Sequence, residues 1–120
     1  MIVYASRTGN VQYIINQLDI PSVKIHDDLT VEKPYLLFTY TDGLGNVPKE
    51  VVSFISHNHQ YCKGVIASGN SNFGKNVFCA SADKLNKMYN IPVIHKIELR
   101  GFKKDYDLIV EKYKLIIGEG

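Results

Sequence analysis

The sequence predicts an α/β fold: a doubly wound sheet of five parallel strands in the order 2-1-3-4-5, with helices on both faces. Short apolar runs alternate along the chain with segments whose apolar residues recur at helical spacing. The second and fifth runs carry polar residues, as edge strands do, whereas the third run is continuously apolar. With 120 residues, 45% of them hydrophobic, the chain fits one domain spanning residues 1–120.

The predicted elements follow from these runs in chain order. The strands are residues 2–5, 23–26, 35–40, 64–67 and 93–99. The apolar residues expected on the inner faces of the four helices are, in turn, Val11, Ile14, Ile15 and Leu18; Val51, Val52 and Ile55; Phe78, Ala82, Leu85, Met88 and Tyr89; and Leu108, Ile109, Leu115 and Ile116. Pro48 is expected to start the second helix, and Asp105 to cap the fourth.

Composition argues against several classes of function. The chain has 14 Lys and Arg against 12 Asp and Glu, and no basic run is interleaved with aromatic residues, so nucleic-acid binding is not expected. It has neither a bilayer-length apolar stretch nor a signal-peptide layout, so we expect no membrane association and a cytoplasmic location. Cys62 and Cys79 form no zinc-binding spacing with the histidines, and no metal site is expected.

A hydroxyl-rich turn follows the first strand. Five residues form it, Ser6, Arg7, Thr8, Gly9 and Asn10, and Val11 begins the apolar pattern of the first helix. Backbone N–H groups at a helix start have no partner within the helix, and the helix dipole favours an anion beside them. The turn therefore predicts a phosphate site, although the same residue types also serve any strand-to-helix turn in capping and chain reversal.

Two further loops, rich in glycine and asparagine, follow the third and fourth strands. In a doubly wound sheet they emerge beside the first turn, at the carboxyl edge where ligands bind. Five of the nine glycines lie in these three loops: Gly9, Gly43, Gly45, Gly69 and Gly74. Glycine lets backbone amides approach a flat ligand, and Tyr40 and Phe73 offer stacking surfaces. The chain lacks G-x-G-x-x-G and G-x-x-x-x-G-K-[ST], so a planar heterocycle with one phosphate fits better than a dinucleotide or a triphosphate.

These motifs resemble those of the flavodoxin-like FMN proteins, and most closely those of the NrdI family, the flavodoxin-like accessory proteins of class Ib ribonucleotide reductase. The resemblance covers essentially the whole chain. It rests on the turn at residues 6–10, on Pro48 after a glycine-rich loop, and above all on residues 64–74, which read G-V-I-A-S-G-N-S-N-F-G. One departure is the loop at residues 41–46, which holds two glycines where some members carry a longer glycine run.

The resemblance implies a flavodoxin-like domain that binds FMN. The residues that would hold the phosphate are Ser6, Arg7, Thr8, Gly9, Asn10 and Val11. One side of the ring would be lined by Thr39, Tyr40, Thr41, Asp42, Gly43, Leu44 and Gly45. The other side would be lined by Ser68, Gly69, Asn70, Asn72, Phe73, Gly74 and Cys79. No side chain is expected to act as a catalytic acid, because the flavin carries the chemistry, and Gly43 and Gly45 are expected to permit a redox-linked peptide rotation.

The resemblance also implies partners. When reduced, the protein would supply electrons, or an oxidant made from dioxygen at the superoxide or peroxide level, to the dimanganese subunit NrdF, where a tyrosyl radical cofactor is assembled. An unidentified electron donor would reduce the flavin. Two alternatives stay open: a general flavodoxin-type electron carrier, and a module that binds a phosphate ligand other than flavin. The three loops carry only Arg7, Asp42 and Lys75 as charged residues, which predicts a less negative second reduction potential than in flavodoxins with acidic sites.

Overall fold

The structure, a computed structural model, describes residues 1–118 and confirms the predicted α/β fold. Its five strands are parallel and lie in the order β2-β1-β3-β4-β5. The strands are β1 Ile2–Tyr4, β2 Ser22–Lys24, β3 Tyr35–Tyr40, β4 Cys62–Gly69 and β5 Val93–Glu98. The α-helices are α1 Asn10–Gln17, α2 Lys49–Asn58, α3 Ala80–Tyr89 and α4 Lys103–Ile117. Two short 3-10 turns, His59–Tyr61 and Ser71–Phe73, flank β4.

The central strand β3 is buried on both faces because a layer of helices covers each side of the sheet. Leu36 and Phe38 pack on one face in a cluster that includes residues of α1 and α4. Tyr35 and Leu37 point to the other face, toward residues of α2 and α3. The alternation of side chains along a strand therefore divides the core into two layers.

Several apolar residues predicted to face the core are exposed: Val52, Met88, Leu115 and Ile116. In α4 the buried residues are Ile109 and Tyr113, which are four positions apart and share one face of the helix. Leu115, 73% exposed, lies off that face. Near a helix end, the spacing of apolar residues is compatible with more than one choice of buried face. The prediction from spacing alone was therefore wrong for these four residues.

The helix starts also differ from the prediction. Asp105 is the third residue of α4 and not its N-cap, which is Phe102. Its carboxylate nevertheless accepts the Phe102 N–H at 2.7 Å and so closes the first turn of the helix. Phe78 precedes α3, which begins after Cys79.

Strand ends shift by up to two residues. β1 stops one residue early, at Tyr4, β2 spans 22–24 and not 23–26, β4 extends beyond 64–67 at both ends, and β5 stops at Glu98.

The carboxyl ends of the parallel strands lie at one edge of the sheet, which positions the loops that follow them. Tyr4 of β1 pairs with Phe38 of β3, and Ser68 of β4 lies between Tyr40 of β3 and Ile97 of β5. The segments after β1, β3, β4 and β5 therefore emerge close together. Among the helices described for residues 1–118, none combines the length and the apolar character needed to cross a bilayer.

Candidate functional site

A cavity of about 220 Å³ opens at the carboxyl edge, between the loops after β1, β3 and β4. Eleven of the twelve residues that line it belong to the predicted set: Ser6, Arg7, Thr8, Asn10, Val11, Tyr40, Thr41, Ser68, Gly69, Asn70 and Phe73. The twelfth is Leu99, which follows β5. The structure thus brings together the three loops that the strand order predicted to meet.

The first loop presents a row of unpartnered backbone donors. Within the described residues, none of the six N–H groups from residue 6 to residue 11 donates to another protein group. Ser6 Oγ accepts the N–H of Gln12 at 3.2 Å, and α1 begins without a side-chain cap. Gly9, at φ +96°, holds a backbone conformation that a residue with a Cβ rarely adopts. Unpartnered N–H groups at a helix start form the donor set that a phosphate needs, so this turn fits the predicted ligand group.

Arg7 extends from the first loop to the loop after β3. Its Nη1 donates to Asp42 Oδ1 at 2.8 Å, and its guanidinium carbon lies 5.2 Å from the centre of the Tyr40 ring. The Tyr40 hydroxyl donates to Glu50 Oε1 at 2.6 Å. Burial, together with that hydrogen bond, raises the pKa of Tyr40 above its usual value. The Arg7 guanidinium is paired with Asp42 but keeps further N–H donors, which favours an anionic ligand beside the first loop.

The loop after β3 is a tight turn at the rim of the cavity. The Asp42 N–H donates to the Asn46 carbonyl at 2.8 Å, and the Asn46 N–H donates to the Asp42 carbonyl at 2.7 Å. Gly43 and Gly45 have φ of +49° and +105°, and Leu44 between them is 77% exposed. Asp42 and these three residues do not line the cavity; they follow Tyr40 and Thr41, which do.

The loop after β4 forms the wall opposite. Its 3-10 turn, Ser71–Phe73, is capped by Asn70, whose Oδ1 accepts the Asn72 N–H at 2.9 Å. Phe73 lines the cavity and is 60% exposed, so its ring is available to a ligand. A Cβ at Gly69 would lie 3.0 Å from Cys79 Sγ, which explains glycine at this position. Gly9, Asn72 and Gly74 belong to the loop backbones without lining the cavity.

Thr39 and Cys79 lie outside the cavity, in contrast to the roles that the resemblance implied for them. Both residues are 0% exposed. Thr39 Oγ1 donates to the Tyr40 carbonyl at 2.9 Å, and Cys79 Sγ donates to the Ala67 carbonyl at 3.3 Å. Burial raises the pKa of the Cys79 thiol to about 12, so it is protonated at neutral pH. The two residues therefore hydrogen-bond to the backbone of β3 and β4 and do not face the cavity.

The predicted site did not include the turn after β5. We call residues 98–102 the β5 turn. Leu99 lines the cavity, Glu98 Oε2 accepts the Ser71 N–H at 2.9 Å, and Arg100 Nε donates to Asn10 Oδ1 at 3.3 Å. The sequence could have indicated this turn, because ligands of a doubly wound sheet bind beyond the carboxyl ends of its strands, and β5 ends at the same edge as the others.

With this geometry in view, comparison with known proteins decides the family. A family profile described as NrdI flavodoxin-like matches residues 2–111. The chain belongs to the NrdI flavodoxin-like family. Protein NrdI of Bacillus licheniformis is 37% identical over 117 residues, which cover 97% of this chain and 88% of that protein. The SPbeta prophage-derived protein NrdI of Bacillus subtilis strain 168 is 36% identical over 117 residues, with 94% and 90% covered.

Solved structures share the fold of this NrdI-family chain. Oxidised Flavodoxin 1 from Bacillus cereus superposes with a TM-score of 0.70 at 19% identity, over 99% of this chain and 97% of that chain. The Fusobacterium nucleatum flavodoxin bound to flavin mononucleotide gives a TM-score of 0.58 at 15% identity, over 96% of each chain. At these identities the likeness establishes the flavodoxin-like fold alone.

A larger cavity in the NrdI-family chain, about 380 Å³, lies between α2 and the connection from β2 to β3. Asp27, Asp28 and Glu50 on its lining are carboxylates, which repel a phosphate. Its buried amide, Asn58, is satisfied: the side chain accepts the Val31 N–H and donates to two backbone carbonyls. Residues 1–118 contain no grouping of three His, Cys, Asp or Glu arranged to hold a metal ion. The smaller cavity at the carboxyl edge is therefore the candidate site.

Proposed function

We propose that this NrdI-family chain binds FMN in the carboxyl-edge cavity and acts as a redox accessory protein of class Ib ribonucleotide reductase. When reduced, it supplies an NrdF-like dimanganese subunit with electrons, or with an oxidant made from dioxygen at the superoxide or peroxide level. The observation that carries the proposal is the meeting of an unpartnered phosphate turn and two glycine-rich loops at one cavity. Family membership and the FMN-bound flavodoxin of the same fold support it.

The phosphate of FMN would lie on the first loop. The N–H groups of residues 6–11 have no protein partner to displace, and the hydroxyl-bearing residues Ser6 and Thr8 line the same cavity. Arg7 supplies a positive charge that pairs with a phosphate more strongly than a neutral donor does. Gly9 keeps this donor row in place through its positive φ.

The flavin ring would lie between the loops after β3 and β4. Tyr40 and Phe73 line the cavity from these two loops; the Phe73 ring is exposed and available for stacking, whereas the Arg7 guanidinium already lies over the Tyr40 ring. Backbone groups of Thr41 and Gly69 border the same space and offer polar contacts to the ring edge. Bound FMN supplies one- and two-electron redox chemistry and, once reduced, reactivity toward dioxygen, and the protein supplies orientation, electrostatics and access.

The charge around the cavity suits a fully reduced, anionic flavin. Arg7 and Lys75 lie in the loops with Asp42, and the β5 turn adds one charge of each sign, Glu98 and Arg100. The loops and the β5 turn together therefore keep an excess of one positive charge. This balance stabilises negative charge on the ring, where a carboxylate-lined site would oppose it.

The rim of the cavity is the proposed contact surface for the NrdF-like partner. Leu44, Phe73 and Phe102 are exposed large apolar side chains that lie on or beside the loops of the carboxyl edge. Exposed apolar residues grouped at a functional edge are characteristic of protein interaction sites. Docking here also shortens the path of a diffusing oxidant between the two proteins. A cytoplasmic location is part of this proposal, and the two free buried cysteines are consistent with a reducing compartment.

Reconstitution tests the proposal. Manganese-loaded NrdF-like subunit is mixed with the reduced, FMN-loaded protein and dioxygen, and the tyrosyl radical yield is measured. We expect radical formation that requires both FMN and this protein, and a reduced general flavodoxin serves as the matched control. Equal radical yields from the two proteins would favour a general electron carrier, and no radical from either would contradict the proposed role.

A further inference from the structure

The β5 turn contacts both sides of the cavity. Arg100 Nε donates to Asn10 Oδ1 at the start of α1, on the phosphate side. Leu99 is a non-glycine residue with φ +53°, and both of its backbone groups are bonded to the end of β4. Its N–H donates to the Gly69 carbonyl at 2.8 Å, and its carbonyl accepts Ser68 Oγ at 2.6 Å. Leu99 therefore has a backbone conformation that is costly for a non-glycine residue, and two hydrogen bonds to β4 hold it in that conformation beside the cavity.

Glu98 connects the β5 turn to the opposite wall. Its Oε2 accepts the N–H of Ser71, the first residue of the 3-10 turn Ser71–Phe73, at 2.9 Å. Asn70 accepts the next N–H, that of Asn72. The two donors that open this turn are therefore held by side chains, one of which comes from a neighbouring strand. Glu98 is exposed, so its interaction with Ser71 is not a consequence of burial.

We propose that Glu98 is a positioning residue for the ring-side wall of the cavity. Its hydrogen bond to Ser71 fixes the 3-10 turn, and this turn fixes Phe73. This hydrogen bond therefore influences both the affinity for FMN and the reduction potentials of the flavin. This inference rests on the proposed function. Phe73 is 60% exposed, and the other hydrogen bonds of this turn are local, as between the Gly74 N–H and the Ser71 carbonyl, whereas the Glu98 carboxylate comes from another strand. A carboxylate accepting a backbone N–H is among the stronger hydrogen bonds in proteins.

Three variants separate the hydrogen bond from the charge. Glu98→Ala removes both, whereas Glu98→Gln keeps an oxygen that accepts the Ser71 N–H but removes the charge. Ser71→Pro removes the donor instead. Proline is tolerated at the first position of a helical turn, and Asn70 already has the extended conformation, φ −124° and ψ 113°, that a residue before proline prefers. Glu111→Ala on α4 removes an equivalent exposed charge away from the cavity and is the matched control.

FMN titration and potentiometry of these variants test the inference. Glu98→Ala and Ser71→Pro should each weaken FMN binding about fivefold, and the potentials of Glu98→Ala should differ from those of Glu98→Gln, which carries the same charge. The double variant should be no weaker than the worse single variant, because both changes remove one hydrogen bond. Glu98→Gln and Glu111→Ala should stay within about twofold of wild type. Additive losses, an equal loss in Glu98→Gln and Glu98→Ala, or unchanged binding in Glu98→Ala would each overturn the inference.

Amide hydrogen exchange of the flavin-free protein separates this inference from the proposed function. Exchange at Asn72 and Phe73 should be faster in Glu98→Ala than in wild type or Glu98→Gln, and unchanged exchange would overturn the positioning role. A wild-type protein that binds no FMN would overturn the proposed function, and the exchange result would still decide whether Glu98 fixes the turn. If Glu98→Ala fails to fold, the contrast between Glu98→Gln and Ser71→Pro carries the same test.

Discussion

The Arg7 guanidinium lies 2.8 Å from the Asp42 carboxylate, and this ion pair joins the phosphate turn to the loop after β3. The two side chains are 56% and 38% exposed, so the pair adds little to the stability of the fold. Its effect is on geometry, because it joins the loops that follow the two neighbouring strands β1 and β3. Arg7 also lies over the Tyr40 ring, so one side chain contacts both parts of the proposed FMN site.

Replacing Arg7 should therefore affect the ligand more than the fold. Arg7→Gln is expected to weaken FMN binding about tenfold, because it removes a charged partner of the phosphate. The free energy of unfolding of the flavin-free protein should change by less than about 0.5 kcal/mol. FMN titration and urea unfolding measure the two effects. Lys103→Gln, which breaks an exposed ion pair with Asp107 on α4, is the control and should leave affinity unchanged. A similar loss of affinity in both variants would argue against a specific role for Arg7.

The two glycines at the rim should respond differently to alanine. Gly43, at φ +49°, lies near the left-handed region that alanine can occupy at a modest cost, whereas Gly45, at φ +105°, does not. A Cβ at Gly45 would also lie 3.2 Å from the Cβ of Ala80. We expect both alanine variants to shift the FMN potentials if a peptide of this turn rotates on reduction, with the larger shift and loss of stability in Gly45→Ala. Unchanged potentials in both variants would exclude the rotation.

The excess positive charge predicts an accessible two-electron reduced state. The second reduction potential should be less negative than in flavodoxins with acidic sites, and the two one-electron potentials should lie close together. A new unit charge about 6 Å from the ring, at an effective dielectric constant near 20, is worth roughly 3 kcal/mol, or on the order of 100 mV. Asn70→Asp should therefore lower the second potential by about that amount. Gln17→Glu, at the far end of α1, is the control. Widely separated potentials in the wild type would contradict the electrostatic argument.

Asp105 should make stability depend on pH in the acid range. Burial acts to raise the pKa of Asp105, but hydrogen bonds from His95 and from the Phe102 N–H outweigh it and hold that pKa below its ordinary value of 3.8. A lowered carboxyl pKa means that the charged form stabilises the fold above pH 3.8, and that this contribution is lost as pH falls through the folded-state pKa. Asp105→Asn should cost about 1 kcal/mol at about pH 7.

Urea unfolding across pH measures this contribution. The difference between wild type and Asp105→Asn should shrink as pH falls below 3.8. Asp107→Asn, at an exposed position on the same helix, is the matched control and should lose little stability at any pH. A difference for Asp105→Asn that does not change with pH would show that the charge of Asp105 is not responsible.

The fold was predictable because the apolar and polar patterns of its individual segments are local and agree with one another. The continuous apolar run of β3 indicated a central strand, the polar residues of β2 and β5 indicated edges, and the strand order then placed three loops at one edge. The contacts between loops were not predictable in the same way. Glu98 and Ser71 are 27 residues apart, and nothing local in the sequence pairs them. The resemblance assigned Thr39 and Cys79 to the site, but both are fully buried outside the cavity, because the direction of their side chains depends on strand pleating and core packing.

FMN binding by the purified protein is the decisive measurement for the carboxyl-edge site. Flavin-free protein is titrated with FMN while the visible spectrum and flavin fluorescence are followed, and riboflavin is titrated in parallel. We predict saturable binding of one FMN with flavin absorption bands, and weaker binding of riboflavin, because riboflavin lacks the phosphate that the N–H groups of residues 6–11 would hold. A colourless protein that takes up no FMN would contradict FMN binding at this cavity, and equal affinity for FMN and riboflavin would contradict the proposed phosphate site.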